Sequence, residues 1–199
     1  EAGVRKWLPQ SIRPHASEVN DTRTIANIQV AYSWAAQKCG PDDLLYIYWI
    51  DHGNPTGFKV KDGWLPHAQL GTWTDSITAK SIIGVYNPCQ SGAVVDNVSR
   101  TGVISITSVD EYQYNSFGWA GAWRTGLNGG GGSGASDMNA DGYISMTEMY
   151  QWIALLSQAA GETSSIDDNG DGVYNQLGQT GFDPNQAGFD GYFASHYAL

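Results

Sequence analysis

The chain has 199 residues, 41% hydrophobic and 15% charged, which is enough for one sizeable core and too little for two. Twenty acidic against ten basic residues give a net charge of -10, which disfavours a phosphate backbone and so a nucleic-acid partner, and suits divalent cations. No run approaches the roughly 18 apolar residues of a membrane span, and the opening EAGVRKWLPQ has no basic leader followed by an apolar core.

A single domain over residues 1–199 is therefore expected. Two cysteines, Cys39 and Cys89, are too few for a disulfide framework and leave either one bridge or two free thiols. Sparse lysine, abundant Trp, Tyr, Asn and Gly, and acidic loops of calcium type point to an extracytoplasmic or secreted setting.

In chain order, DTRTIANIQVAYSWAA (21–36) predicts a helix capped by Asp21 or Thr22, with Ile25, Ile28, Ala31, Tyr32 and Ala35 at helical spacing. CGPDD (39–43) breaks it. LLYIYWI (44–50) then reads as a strand buried on both faces, as do SIIGVYN (81–87) and GVISITSV (102–109). The connections between them are long enough to cross over, so the grammar is that of an α/β fold with helices on both faces of a mostly parallel sheet. In such sheets the site lies beyond the carboxyl ends of the strands, which puts His52, Cys89 and Asp110/Glu111 on one edge. Beyond Trp123, the glycine-rich segment 127–136 reads as a surface loop, SMTEMYQWIALLSQAAG (145–161) as a helix, and the last forty residues as irregular coil.

DMNADGYISMTE (137–148) fits the twelve-residue calcium loop at every defined position. Calcium takes oxygen ligands, and the loop offers the side chains of Asp137, Asn139 and Asp141, the Tyr143 carbonyl, Ser145 directly or through water, and a bidentate Glu148. The usual incoming helix is replaced by the glycine-rich loop, so a structural calcium is expected rather than a sensor. A second stretch, DDNGDGVYNQLG (167–178), begins alike with Asp167, Asn169 and Asp171 and the Val173 carbonyl, but Gly178 stands where the bidentate acid belongs. Either Asp183 or Asp190 closes this shell from further along, or plain Asn-Gly and Asp-Gly turns account for the residues.

IIGVYNPCQSG (82–92) places Cys89 between a buried strand and a glycine-flexed loop. A lone cysteine is also at home as a small hydrophobe, and a Cys39–Cys89 bridge would abolish any thiol chemistry. At the carboxyl edge of a sheet, however, a thiol can meet a histidine delivered by the neighbouring strand.

Together, LLYIYWIDHGNPTGF (44–58) and IIGVYNPCQSG resemble the two blocks of the legumain-type cysteine peptidases of the caspase-like clan, running from apolar strand to His-Gly and from apolar strand to Cys-x-Ser-Gly. RTGVISITSVDEYQYNSFG (100–118) is similar to the family's next strand and substrate-pocket loop, and DDNGDG occurs in microbial members. The resemblance implies a caspase-like three-layer α/β/α sandwich and cleavage of protein or peptide substrates. In it His52 is the general acid/base, Cys89 the nucleophile, and the Gly53 and Cys89 N–H groups hold the oxyanion. Gln90, Ser108, Asp110 and Glu111 stand around the substrate.

Two departures follow. The family's first strand carries an asparagine that orients the histidine, and nothing before Trp7 can be that strand; it is expected to be missing from this chain, with its residues either removed or on another polypeptide, or its place filled by a neighbouring subunit, so that a second copy or a partner chain is one way of completing the sheet. Tyr112 and Gln113 replace the family's serine pair, so its asparagine preference does not carry over. Asp51 precedes His52 as in the family, with its role open. The rival expectation is an inactive caspase-like module that binds or self-assembles.

Overall fold

The computed structural model describes residues 22–116 and 118–198. Helix α1 spans Ile25–Lys38, with the hydroxyl of Thr24 accepting from the Asn27 N–H at 3.3 Å. It starts later than the expected helix because Thr24, not Thr22, takes the extended cap conformation and closes this bond. The other expected cap, Asp21, and the segment before Trp7 lie outside the described residues.

Strand β1 (Leu44–Trp49) is followed by a three-stranded antiparallel meander, β2 (Gly53–Asn54), β3 (Gly57–Val60) and β4 (Gly63–Pro66), and by helix α2 (His67–Asp75). Next come β5 (Ser81–Tyr86), the short helix α3 (Val95–Val98), β6 (Val103–Thr107) and α4 (Trp119–Leu127). After α5, a single exposed turn over Gly129–Gly132, helix α6 covers Met146–Ala159 and the strands β7 (Ser165–Asp167) and β8 (Asn175–Gln176) finish the sheet.

The main sheet has the order β1-β5-β6-β7-β8, parallel across β1, β5 and β6 and antiparallel from there. The period-two alternation of β5 and β6 feeds two cores. Ile82, Tyr86 and Val103 pack with Tyr32, Leu70, Trp73 and Val95 on the α1–α3 side. Ile83, Val85, Ile104 and Ile106 pack with Trp119, Trp123, Met149, Tyr150 and Ile153 on the α4/α6 side. Helices thus cover both faces, as the sequence pattern predicts.

Two expectations need correction. Residues 44–50 are not buried on both faces: β1 is the outermost strand among the described residues, and Leu44, Tyr46 and Ile50 are exposed. A run without polar residues reads the same at the rim of a sheet as at its centre. The last forty residues are not all coil either, because β7 and β8 extend the sheet in strands of three and two residues, too short to leave a periodic signature.

Candidate active site

The ladder between β1 and β5 runs from Leu44↔Ser81 to Trp49↔Tyr86, and the Asn87 N–H donates to the Trp49 carbonyl at 2.9 Å, so the two strands end level. The residues just past those ends, Ile50–His52 and Pro88–Cys89, leave the same edge side by side. Asp51, His52 and Cys89 line one cleft of about 330 Å³, together with Asn87, Asn115 and Trp119.

Contact between the two blocks is close. A Cβ at position 53 would strike the Cys89 carbonyl and lie 2.8 Å from Pro88 Cβ, so only glycine lets the meander rest on the cysteine loop. The pairing of Gly53 with Phe58, with the Lys59 N–H donating to the His52 carbonyl at 2.8 Å, is a non-hydrogen-bonded pair. The Gly53 N–H is therefore not used by the ladder, and among the described residues the Cys89 N–H donates to no backbone carbonyl.

Cys89 is half-buried, with Sγ 4.0 Å from the Asn115 carbonyl. Both cysteines are free thiols, so the Cys39–Cys89 bridge is not formed; Cys39 packs against the α1–α3 core. Gln90 sits in the left-handed region at φ 56°, ψ 28°, a conformation that costs a non-glycine residue roughly 1–2 kcal/mol. Its N–H donates to the Gln113 carbonyl at 2.8 Å, and this kink turns the chain into the 3-10 turn Ser91–Val94, leaving Cys89 at the apex.

Asp51 pairs with the Arg23 guanidinium, and its Oδ1 accepts the His52 N–H at 2.7 Å. It clamps the backbone that carries His52 and ties it to the start of α1. The imidazole is exposed, and among the described residues it makes no hydrogen bond.

The residues expected around the substrate divide. Ser108 is fully buried; its hydroxyl donates to the Asn87 carbonyl at 3.1 Å and meets Ser91 Oγ at 3.2 Å, so it braces the cysteine loop from beneath and does not line the cleft. Gly92 fits against the Asp110–Glu111 backbone, where a Cβ would lie 2.7 Å from the Glu111 N. Asp110 caps its own loop by accepting the Tyr112 N–H at 2.8 Å. Gln90, Asp110 and Glu111 are half-buried beside the cysteine loop and outside the cleft lining.

Asn87, Asn115 and Trp119 were not expected in the site. Asn115 Nδ2 donates to the Asn87 carbonyl at 2.6 Å and to the Asn87 side chain, and Asn87 Nδ2 donates to the Tyr48 hydroxyl at 3.2 Å. Burial pushes that hydroxyl up to about 12, so it stays protonated at neutral pH. Asn87, two residues before Cys89, had a positional signal; Asn115 arrives from a loop and Trp119 from the start of α4, and no local pattern ties either to the cysteine.

The two acidic loops lie elsewhere. In 137–148 the Asp137 carboxylate accepts the Asp141 and Gly142 N–H groups at 3.1 and 3.0 Å, and Asp141 Oδ1 accepts the Tyr143 N–H at 2.8 Å. Asn139 Oδ1 accepts the Asp141 N–H at 2.9 Å. Glu148 is buried; its Oε1 accepts the Met138 and Asn139 N–H groups, and its Oε2 the Ser145 N–H and hydroxyl, the latter pair completing the N-terminal capping box of α6. In 167–178, Asn169 Oδ1 accepts the Asp171 N–H at 2.9 Å and Asp171 Oδ1 the Val173 N–H at 2.7 Å, repeating the first loop. Among the described residues no group of three or more His, Cys, Asp and Glu side chains is gathered as a ready metal centre.

No protein-family model matches the chain and no curated protein matches it either.

Proposed function

We propose that the chain is a legumain-like cysteine endopeptidase of caspase-like fold that cleaves protein substrates with a Cys89/His52 dyad. The observation that carries this reading is the convergence of His52 and Cys89, from adjacent parallel strands, on one cleft at the carboxyl edge of the sheet. Three further features support it: helices on both sheet faces, the two N–H groups of Gly53 and Cys89 outside the backbone ladder, and a thiol that is not in a disulfide.

In the reaction, His52 takes the thiol proton as Cys89 Sγ attacks the scissile carbonyl carbon. The Gly53 and Cys89 N–H groups hold the oxyanion. The C–N bond then breaks as His52 gives its proton to the leaving amine, and a thioester remains. Water activated by His52 cleaves the thioester and restores the thiol. An amine in place of water makes the same site a transpeptidase.

Calcium belongs to this reading as a structural ion in 137–148, held by Asp137, Asn139, Asp141, the Tyr143 carbonyl, Ser145 and Glu148; an all-oxygen donor set on a loop already curled by its own side chains supports it. A thiol-directed covalent probe tests the dyad: Cys89 should label in the native chain and lose reactivity in His52→Ala, while labelling of Cys39 with Cys89 inert would overturn it.

A second reading, assembly through strand addition, is favoured by the outermost position of β1 with Leu44, Tyr46 and Ile50 exposed. A strictly monomeric chain in solution would remove it.

A further inference from the structure

The loop 167–178 lacks an acid at its twelfth position, where Gly178 stands. The fold supplies one from elsewhere. In the first loop, Oε1 of the closing Glu148 accepts the N–H groups of the second and third loop residues, Met138 at 2.9 Å and Asn139 at 3.1 Å. In the second loop the corresponding N–H groups, of Asp168 and Asn169, donate to a single oxygen, Asp190 Oδ1, at 3.0 and 3.4 Å. Asp190 stands where Glu148 stands. Asp183, the other candidate from the sequence, instead caps a turn by accepting the Asn185 N–H at 2.9 Å.

Oxygens gather there for which the described residues offer no cation. Asp167 and Asp190 are 1% and 0% exposed, and Asp168 beside them is 2% exposed. The ion pairs of the described residues, Arg23–Asp51 and Arg100–Asp75, involve none of the three. Asp168 is satisfied, since it accepts the Gly191 and Ala194 N–H groups at 2.8 and 2.6 Å. Asp167 is not: Oδ1 accepts the Gly170 N–H at 3.1 Å, which turns the carboxylate into the loop, while its buried Oδ2 has no hydrogen bond of good geometry. Ser99 stands beside this carboxyl, and its oxygen also accepts the Gly172 N–H at 2.9 Å. Leaving a carboxylate oxygen buried and unmatched is costly. On the opposite side, one Asn175 Nδ2 bonds both the Val173 carbonyl at 3.3 Å and Asp190 Oδ2 at 2.8 Å, so these two oxygens also converge.

We infer that residues 167–190 form a second calcium site, with Asp167, Asn169, Asp171 and the Val173 carbonyl as loop ligands and Asp190, remote in sequence, as the closing carboxylate. Calcium is favoured over magnesium because the set mixes carboxylate, amide and carbonyl oxygens in an irregular shell, whereas magnesium demands a near-octahedral one. The ion would pin the segment around Asp190 to the end of β7, and so to the sheet.

Calorimetric titration of the metal-stripped full chain with Ca2+, and with Mg2+ for comparison, tests this. Two calcium sites are expected, with Mg2+ unable to fill the second. Asp141→Asn should remove the first site only. Asp171→Asn, at an exposed position that leaves the core untouched, and the isosteric Asp190→Asn should each remove the second only. Should Asp190→Asn fail to fold, Asp171→Asn still decides. A chain that binds no calcium, or whose binding is unaltered by Asp171→Asn, overturns the inference, and equal binding of Mg2+ overturns the choice of ion. The readout is metal binding and not cleavage, so an inactive Cys89/His52 pair would leave it standing.

Discussion

Strands β1 and β5 read alike in the sequence and live differently in the fold. Every residue of β5 is buried, whereas no residue of β1 is: Leu44 and Tyr46 are exposed and the other four half-buried. The nucleophile candidate therefore leaves a strand enclosed between two others and the histidine candidate leaves the rim. This division suits the roles proposed for them: the thiol follows a strand buried along its whole length, and the imidazole that would carry a proton between thiol and leaving group is exposed.

The largest effect expected from breaking the pair is chemical. Cys89→Ala or His52→Ala should lower peptide cleavage by at least about a thousandfold, on the order of 4 kcal/mol of transition-state stabilisation, with unchanged thermal unfolding. Truncation then sharpens the contrast between centre and rim. Ile83→Ala, at a fully buried position of β5, should cost about 2–5 kcal/mol in urea unfolding, while Leu44→Ala on β1 should stay within roughly 0.5 kcal/mol. Equal losses would mean that β1 is covered in solution, as strand addition requires.

Acid should find the rim first. His67 opens α2 beside the meander, 2% exposed, with its ring 4.6 Å from that of Phe58 and no well-formed hydrogen bond on either ring nitrogen. Burial depresses it to about 4 from 6.5, and the Ala93 carbonyl offsets only part of that. The unfolded chain takes up the proton first, so the stability present above about pH 6.5 declines as pH falls toward about 4, by at most ~3 kcal/mol. Unfolding midpoints across that window should fall in the native chain, and hydrogen exchange should quicken in β3, β4 and α2 before β5. The smallest effect concerns the kink: Gln90→Gly should raise stability by up to about 1 kcal/mol, since glycine takes φ 56° without strain, provided the left-handed turn and not the glutamine side chain is what holds the loop.

How much could be read in advance depended on whether the signal was local. The largely apolar, β-branched runs of β5 and β6 and the capped amphipathic α6 declared themselves. The outer position of β1 did not, because burial on the second face is decided by a neighbour and not by the strand's own residues. In the site, His52, Gly53 and Cys89 carry short, recognisable contexts. Asn115 reaches the Asn87 carbonyl from a loop across the cleft, and Ser108 looked like a substrate contact only because burial is invisible in one dimension. Asp190 is the clearest case: the sequence offers it and Asp183 alike, and only the fold brings one of the two, Asp190, onto the Asp168 and Asn169 N–H groups.

The absence of a side chain at Gly53 has a mechanical meaning. With backbone resting directly on the Cys89 carbonyl, there is no compressible layer between the meander and the cysteine loop. The meander is itself held at several points, through the Lys59 N–H on the His52 carbonyl, the Lys61 N–H on the Arg23 carbonyl and the His67 N–H on the Thr56 carbonyl. A force applied at its tip, by a bound chain or a neighbouring molecule, is handed on as displacement of the thiol and the imidazole together. The meander and the cysteine loop thus bear on each other through a single glycine, so that what shifts one shifts the other.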